Sequence, residues 1–295
     1  MFKIKNTKFN KNTKAFIIAE VGINHNGDIK KAFKLIDAAS KAKCNAVKFQ
    51  TYDVETMVHQ SAETAKYQKI FSSKNQKSML KKFQLRNTDF IKIKNYCDKK
   101  KIIFLSTPFD IKSANFLRNL VPAFKISSGD NDNYILINHL KKLNKPLILS
   151  LGMVNKDEIN KILKKINIKK NKLSLLHCIS EYPTKLGDSQ LGIIKELRKF
   201  GYIVGFSDHT VGFEASIGAI CFGAQIIEKH ITLDNKMKGP DHLASLNIKD
   251  LKKFVETLRT MEKLRDFKNR KLTYEEKKTK KKVKKSIFIN KNLSK

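Results

Sequence analysis

Eight short apolar runs, each followed by a polar or amphipathic stretch, constrain the fold of this chain more strongly than any other feature. The runs are rich in valine, isoleucine, leucine and phenylalanine and have the length of buried β-strands. Eight such repeats favour the α/β class, and within it a closed (β/α)8 TIM barrel over an open doubly wound sheet, which usually has fewer strands. The predicted strands are residues 15–23, 46–51, 102–108, 123–129, 146–152, 173–180, 203–209 and 225–232, and the predicted helices include residues 29–42, 88–100, 155–166, 188–200, 213–223 and 247–264.

The pattern divides the chain into a barrel domain, residues 1–265, and a tail, residues 266–295. A barrel of roughly 250 residues accounts for most of the 295 residues. The tail carries seven lysines between positions 277 and 285, which predicts a solvated linker followed by one short apolar strand. The longest connection inside the barrel spans residues 52–87 and contains Tyr67 and Phe71. It is either a lid over the substrate or a solvated excursion.

The amino-acid composition argues against a membrane-spanning or secreted protein. Hydrophobic residues make up 41% of the chain, no stretch of 18 apolar residues occurs, and the N-terminus lacks an apolar signal core. We therefore expect a cytoplasmic protein without a membrane partner. The cysteines lack the spacing of a zinc ribbon or a disulfide framework and are expected to be free thiols in packed positions. They are Cys44, Cys97, Cys178 and Cys221.

The net charge of +34 makes an anionic partner worth weighing. The lysines are spread over nearly every predicted helix, as on solvated faces, and no nucleic-acid recognition motif accompanies them. We therefore expect no nucleic-acid partner and keep such binding as a minor alternative. Anionic small molecules would benefit from the same field.

Two histidines end neighbouring predicted strands, and they give the first indication of a site. His209 ends the seventh strand and His230 lies near the end of the eighth. Residues at the carboxyl ends of parallel strands share one rim, so the two imidazoles can bind one divalent metal. A single histidine at a strand end is more often a hydrogen-bonded structural residue. Acidic and basic neighbours, including Asp241, favour the functional interpretation.

The other strand ends are also polar, and together they predict an anion site. Lys48 and Lys125, surrounded by serine and threonine hydroxyls, suit a ligand with several oxygens, such as a phosphate beside a carboxylate. A lysine that forms a Schiff base, as in aldolases, stays open as an alternative. The residues expected at this rim are Glu20, Gly22, Asn24, His25, Lys48, Gln50, Ser106, Thr107, Pro108, Phe109, Lys125, Ser127, Ser128, Ser150, His177, Ser180, Glu181, Tyr182, Ser207, Asp208 and His209.

Nine motifs between residues 16 and 261 carry a resemblance to a known family. In chain order they are AEVGINHNGD, VKFQTY, LSTPFD, FKISSGD, ILSLGM, HCISEYPT, GFSDHT, IEKHITLD and GPDHLASL. This set resembles the sialic acid synthase family, the N-acetylneuraminate and N,N'-diacetyllegionaminate synthases. The resemblance covers nearly the whole predicted barrel.

The resemblance implies condensation of phosphoenolpyruvate with an N-acetylated amino sugar, N-acetylmannosamine or its 2,4-diacetamido analogue, giving a nine-carbon 2-keto acid and phosphate. It implies a Mn2+ or Mg2+ ion on His209 and His230 that acts as a Lewis acid on the sugar aldehyde. It assigns proton handling to Glu20. The implied phosphoenolpyruvate contacts are Lys48, Thr107, Lys125, Ser128, Ser150 and Ser207, and the implied sugar-side residues are Gln50, Phe109, Tyr182 and Asp241.

The chain departs from the family pattern at three places. Leu151 stands where threonine is common, and Ser180 stands where some members have asparagine and contact the substrate. The end of the chain resembles only the start of the antifreeze-like domain that supplies an arginine to the partner subunit in family members. We therefore expect a homodimer or a separate partner that provides this domain. A catalytically impaired barrel that binds a ligand or a partner protein is the alternative function.

Overall fold

The computed structural model describes residues 1–10, 13–59, 76–264 and 270–287. A short antiparallel hairpin of β1 (Lys3–Ile4) and β2 (Thr7–Lys8) comes first, and eight parallel strands then form a nearly closed barrel. The TIM-barrel prediction is confirmed. The barrel strands are β3 (Phe16–Gly22), β4 (Ala46–Thr51), β5 (Ile103–Pro108), β6 (Phe124–Ile126), β7 (Leu147–Ser150), β8 (Leu173–Cys178), β9 (Ile203–Asp208) and β10 (Ile226–Thr232).

Strand pairing follows the order expected of this fold. Each strand is hydrogen-bonded to its neighbours along the path β5-β4-β3-β10-β9-β8-β7-β6, and β5 and β6 at its two ends contact each other. A two-residue strand, β11 (Leu246–Asn247), pairs in parallel with the last two residues of β10. The first and last barrel strands are therefore neighbours, which places the residues at the ends of β3, β9 and β10 side by side.

Helices surround the barrel and alternate with its strands. They are α1 (Ile29–Lys41), α2 (Val54–Met57), α3 (Gln76–Phe83), α4 (Asn87–Lys99), α5 (Ile111–Leu117), α6 (Tyr134–Lys142), α7 (Lys156–Ile166), α8 (Ile193–Lys199), α9 (Glu214–Cys221) and α10 (Leu251–Leu264). The connection proposed as a lid contains α2 and α3. Tyr67 and Phe71 of that connection lie outside the described residues.

Residues 1–264 form one compact unit and residues 265–295 form another. The second unit contains a helix, α11 (Tyr274–Val283), where the sequence predicted a solvated linker. Its N-terminus carries a capping box in which the Thr273 hydroxyl accepts from the Glu276 N–H and the Glu276 carboxylate accepts from the Thr273 N–H. Lysine also has a good intrinsic helix propensity. The short strand predicted at its end falls mostly outside the described residues.

Side chains fill the barrel in levels because alternate residues of each strand point inward. The lower levels are apolar and include Phe16, Ile18, Leu105, Ile148 and Ile226. The N-terminal hairpin adds to this cluster from below, with aromatic side chains near its ends. The barrel is therefore closed by packed side chains at its N-terminal end.

One glycine allows two strands to approach closely inside the barrel. A Cβ atom at Gly205 on β9 would lie 2.3 Å from the carbonyl oxygen of Ile226 and 2.6 Å from a methyl carbon of Leu176. Any larger residue would push β9 away from its neighbours β8 and β10. The spacing of the two strands that end in histidines thus depends on a missing side chain.

Among the described residues, no helix combines the length and the apolar character that crossing a bilayer requires. The cysteines carry no disulfide, and Cys44, Cys97 and Cys178 are buried as expected. Cys221 is exposed, so the expectation of a packed position was wrong for that residue. It occupies the last residue of α9, where the helix surface faces solvent.

Candidate active site

Above the apolar levels, the next inward position of the barrel strands is polar or a thiol in all eight cases. These residues follow directly from the strand register, since seven of them lie two residues after an inward apolar side chain and the eighth, Ser207, lies two residues after Gly205. They are Glu20, Lys48, Thr107, Lys125, Ser150, Cys178, Ser207 and Glu228. A cavity of about 440 Å³ opens above them at the carboxyl end of the barrel.

Every residue that the sequence assigned a catalytic, substrate-binding or metal-binding role lines this one cavity. The broader expectation for the strand ends was less accurate. Asn24, His25, Ser106, His177 and Asp208 do not line it, because their side chains bond elsewhere or point outward. Gly22, Pro108 and Glu181 do not line it either. The predicted residues that line it are Glu20, Lys48, Gln50, Thr107, Phe109, Lys125, Ser127, Ser128, Ser150, Ser180, Tyr182, Ser207, His209, His230 and Asp241.

Two lysines and two carboxylates form the floor of the cavity. Lys48 Nζ lies 2.9 Å from Glu20 Oε2 and 3.7 Å from Glu228 Oε1, and Lys125 Nζ lies 3.5 Å from the same Glu228 oxygen. All four side chains are buried. Glu20 Oε1 and Glu228 Oε2 have no hydrogen-bond partner within the part of the chain that the structure describes. Buried polar atoms without partners are rare and mark places where a ligand or water binds.

Hydroxyl groups complete the floor. The Lys48 ammonium donates to Thr107 Oγ1 at 3.1 Å, and the Lys125 ammonium donates to Ser150 Oγ at 2.7 Å. The Ser207 hydroxyl donates to Glu228 Oε1 at 3.1 Å. Each lysine therefore has donor capacity left for a further oxygen, because an ammonium group carries three N–H bonds.

Burial shifts the protonation of these groups. It raises the pKa of Glu20 to about 7, although Lys48 opposes the change. Burial works to lower the pKa of Lys48, but Glu20 and Glu228 raise it above its ordinary value. Burial lowers the pKa of Lys125. Glu20 can thus exchange a proton near neutral pH, and Lys48 keeps its charge.

A second group of polar atoms lies beside β7. The Gly152 backbone N–H donates to Ser128 Oγ at 3.0 Å, and a Cβ atom at Gly152 would fall 2.7 Å from that oxygen and 2.3 Å from Ser180 Oγ. Glycine is therefore needed for both hydroxyls to approach the backbone at this point. Ser128 Oγ also lies 3.4 Å from Cys178 Sγ.

His209 and His230 form the wall next to β3. Their ring centroids are 5.5 Å apart and their planes are inclined by 59°. His209 Nδ1 lies 2.7 Å from the carbonyl oxygen of Ile179, so it carries the proton. Nε2 then keeps its lone pair and lies 3.4 Å from Ser207 Oγ. This is the outer-shell contact that metal-binding histidines commonly make.

His230 is also suited to bind a metal. Burial, together with the positive charge of neighbouring groups such as Lys48, holds its pKa well below its ordinary value, so the imidazole is neutral. Its Nδ1 atom is buried, has no hydrogen-bond partner among residues 1–10, 13–59, 76–264 and 270–287, and lies 4.0 Å from Asp241 Oδ2. The donor set therefore fits a divalent cation held by two imidazoles.

The described residues contain no group of three or more histidine, cysteine, aspartate or glutamate side chains arranged around a common metal position. Two imidazoles alone would supply fewer ligands than a structural metal site has, so a cation held by them would keep positions open for substrate and water.

Aromatic and polar side chains line the outer part of the cavity. The Tyr182 ring stacks on His209 at 4.1 Å between centroids and meets His230 edge-on at 5.7 Å. Phe109 packs edge-on against Tyr52 at 6.3 Å. Burial raises the pKa of Asp241 to about 6. Aromatic faces beside carboxylate and amide groups suit a ligand with both apolar and hydroxylated surfaces.

Sequence reasoning counted Glu228 among the acidic groups near this rim but gave it no role, and it did not place Cys178 at the cavity. The other lining residues without a sequence assignment are Ile23, Met57, Gln76, Leu80, Gly129 and Met153. Strand alternation was the signal that could have identified Glu228, because it stands two residues before His230 and must face the same way. Cys178 was predicted to be a packed thiol. It is buried, but its sulfur faces the cavity and lies 3.9 Å from His209 Nδ1.

Comparisons with known proteins relate this geometry to a family. The sequence profile of the NeuB family matches residues 35–270. The N,N'-diacetyllegionaminic acid synthase of Campylobacter jejuni is 38% identical over 290 residues, covering 96% of this chain and 86% of that protein. The N-acetylneuraminate-9-phosphate synthase of Homo sapiens is 31% identical over 252 residues, covering 84% of this chain and 70% of that protein. The crystal structure of an N-acetylneuraminic acid synthetase from Leptospira borgpetersenii in complex with citrate has a TM-score of 0.84 at 32% identity and covers 95% of both chains.

Proposed function

Because the chain belongs to the NeuB family, we propose that it is a synthase that condenses phosphoenolpyruvate with an N-acetylated amino sugar. A carbon–carbon bond forms between the methylene carbon of phosphoenolpyruvate and the carbonyl carbon of the open-chain sugar. A water oxygen adds to C2 of phosphoenolpyruvate, and the bond from C2 to the phosphate oxygen breaks. The products are a nine-carbon 2-keto sugar acid and inorganic phosphate.

The polar level on the barrel floor is the observation that supports this proposal. Phosphoenolpyruvate carries a carboxylate and a phosphate close together, and Lys48 and Lys125 stand at the same level with hydroxyls beside them. Charge-assisted hydrogen bonds from two lysines match such a ligand.

The outer half of the cavity suits the amino sugar. Gln50, Tyr182 and Asp241 present amide, phenol and carboxylate groups toward the space above the floor, and Phe109 provides an apolar face. A Mn2+ or Mg2+ ion would be held by His209 Nε2 and His230 Nδ1, where it would supply Lewis-acid polarisation of the sugar carbonyl oxygen. The protein's own contribution here is to hold the carbonyl carbon against the methylene carbon of phosphoenolpyruvate.

Proton handling falls to Glu20. Its Oε1 atom is buried without a hydrogen-bond partner within the described ranges, and its pKa of about 7 allows it to take a proton from the attacking water and to release it again. Lys48 and Lys125 stabilise the phosphate as it leaves, because their charges are already in position and little solvent has to rearrange.

A mass-spectrometric assay tests the proposal. Phosphoenolpyruvate and Mn2+ are incubated with the chain and with each of three sugars: N-acetylmannosamine, its 6-phosphate, and a 2,4-diacetamido hexose. We expect a nine-carbon keto acid from one of them, together with equimolar phosphate. Because the relatives named above differ in their products, the panel also identifies the sugar.

Pyruvate in place of phosphoenolpyruvate is the matched control. An aldolase that works through a Schiff base accepts pyruvate, whereas the proposed reaction requires the enol phosphate. A product from pyruvate, or a borohydride-trapped adduct on Lys125 or Lys48, would replace the proposal with Schiff-base chemistry. A chain that binds phosphoenolpyruvate but turns over none of the sugars would favour the binding-protein alternative.

A further inference from the structure

A buried ion pair lies behind the two imidazoles, on the outer side of the barrel wall. Asp208 and Lys229 are 0% and 1% exposed, and Lys229 Nζ lies 3.1 Å from Asp208 Oδ1. The two residues stand directly opposite each other in the register of β9 and β10. Each immediately precedes one of the histidines, His209 or His230. Because side chains alternate along a strand, the histidines face the cavity while the ion pair faces outward.

Both members of the ion pair make further hydrogen bonds, and these contacts lie on both sides of His209. Asp208 Oδ1 accepts from the backbone N–H of Thr210 at 2.9 Å and from its hydroxyl at 2.7 Å. Asp208 Oδ2 accepts from the Ser216 hydroxyl on α9 at 2.6 Å. The Lys229 ammonium donates to the carbonyl oxygen of Thr210 at 2.6 Å. A side chain on β10 therefore holds the residues on both sides of His209.

The surroundings of this pair are otherwise apolar. Phe206, Ile227 and Ile231 also face outward from β9 and β10 and belong to the core between strands and helices. Buried ion pairs add little net stability, because desolvation offsets their attraction, and apolar residues of similar volume often serve as well. The best-supported role of buried ion pairs is to fix the register between neighbouring elements. The charges of Asp208 and Lys229 lie at the same level of the barrel as the two imidazoles. At this level, the position of β9 relative to β10 sets the distance between His209 and His230.

We propose that Asp208 and Lys229 are positioning residues that lock β9 to β10 so that His209 and His230 can bind one divalent cation together. This inference rests on the proposed function, which places that cation between the two imidazoles. Neither residue touches the cavity, so neither contacts substrate or metal. Their effect is transmitted through the backbone of the adjoining histidines.

Calorimetric titration of the full chain with Mn2+ alone tests the inference. The variants are Lys229→Met, Asp208→Asn and the combination of both. We expect the Mn2+ dissociation constant to rise about 10- to 100-fold, the usual effect of removing an outer-shell partner. We also expect the combined variant to bind no more weakly than the single ones, because either change breaks the same contact.

Folding is followed by circular dichroism at the titration temperature. Lys229→Met leaves Asp208 buried without its counterion and is the variant most exposed to unfolding. The combined variant removes both charges. Ser216→Ala deletes one hydroxyl contact to Asp208 and should fold while showing a smaller rise in the dissociation constant.

A second ion pair at the opposite end of the barrel provides the matched control. Arg259 Nη1 lies 2.9 Å from Glu262 Oε1 and donates to the carbonyl oxygen of Ala15 at 2.9 Å. Ala15 directly precedes β3, so this pair is remote from the imidazoles. The Arg259→Met/Glu262→Gln variant should lower the melting temperature without changing the Mn2+ dissociation constant. A purely structural role of Asp208 and Lys229 would give the same pattern.

The possible outcomes separate the two proposals. Folded Asp208 and Lys229 variants that bind Mn2+ as tightly as the parent would overturn the positioning role and leave the proposed function standing. A parent chain whose Mn2+ binding is absent, or survives His230→Ala unchanged, would remove the metal site itself, and the positioning role would fall with it.

Discussion

At the scale of single residues, burial decides which protonation states the molecule can use. Glu20 and Asp241 are buried carboxyls whose pKa values rise to about 7 and about 6, and His25 and His242 are buried imidazoles whose pKa values fall to about 4. In each case burial is the leading cause, because it disfavours the charged form. The cavity therefore contains carboxyl groups that can exchange protons near neutral pH.

His25 gives a prediction about acid stability. Its Nδ1 atom accepts a hydrogen bond from the backbone N–H of Gly27 at 3.0 Å, so a proton on Nδ1 breaks that contact. Burial lowers the pKa of His25 from 6.5 to about 4, partly opposed by Asp28. The folded state thus favours the neutral form. The resulting stability is fully present above pH 6.5 and is lost as the pH falls through 4.

Between pH 7 and pH 4 this effect amounts to roughly 3 kcal/mol of unfolding free energy. Urea denaturation at several pH values measures it. A His25→Asn variant keeps an acceptor for Gly27 but cannot take up a proton, so its stability should fall less steeply over this range. Parallel pH profiles for parent and variant would contradict the assignment.

At the scale of elements, hydrophobic period predicted most of the barrel. The eight predicted strands coincide with β3 to β10, with ends that differ by at most three residues. The helix predicted at residues 188–200 begins only at Ile193, because a 3-10 turn, Leu186–Ser189, and a left-handed Gln190 precede it. Apolar spacing cannot detect such a turn, since it depends on backbone geometry at one residue.

Two elements could not be predicted from the hydrophobic pattern of the sequence. The hairpin β1–β2 has strands of two residues, too short to show alternation, and lysines interrupt its sequence. The helix α11 was predicted as a linker because the seven lysines between positions 277 and 285 suggested a solvated, self-repelling segment, whereas the capping box of Thr273 and Glu276 stabilises a helix there. In the site, residues with strong chemical signals such as His209 and Lys125 were predicted correctly to line one cavity. Glu228 was given no role because its residue type alone did not show which way its side chain pointed.

The hairpin leads to a prediction about the two ends of the barrel. Phe9 is 2% exposed, and its ring centroid lies 5.3 Å from that of Phe2 and 5.9 Å from that of Phe16. Phe9→Ala removes a buried aromatic ring and should lower the free energy of unfolding by about 3–5 kcal/mol. Phosphoenolpyruvate binding should not change, because the cavity lies at the other end.

Phe109→Ala is the matched control for this prediction. Phe109 lines the cavity and is only partly buried, so its removal should cost less stability and should alter the Michaelis constant for the sugar. Denaturation and steady-state kinetics distinguish the two variants. A Phe9→Ala protein with impaired phosphoenolpyruvate binding at full folding would show that the two ends of the barrel are coupled.

At the scale of the whole molecule, the excess of positive charge is a second source of anion binding. A net charge of +34 attracts anions to the surface regardless of a specific site. A specific site requires more than this general field, namely one pocket in which Lys48 and Lys125 contact a single anion. Removing one lysine weakens the general field wherever that lysine lies, but it weakens the specific pocket only if the lysine lies in that pocket.

Calorimetric titration of phosphoenolpyruvate into the Mn2+-loaded chain is therefore the most direct test of the central claim. Lys125→Met removes a charge from the barrel floor. Lys145→Met removes the same charge from a lysine whose ammonium donates to the carbonyl oxygen of Val121, outside the cavity. We predict that the parent and Lys145→Met bind phosphoenolpyruvate equally and that Lys125→Met binds about thirtyfold more weakly, the effect of losing one charge-assisted hydrogen bond of about 2 kcal/mol. No binding by the parent, or equal weakening in both variants, would contradict the claim that the floor of the cavity is a phosphoenolpyruvate site.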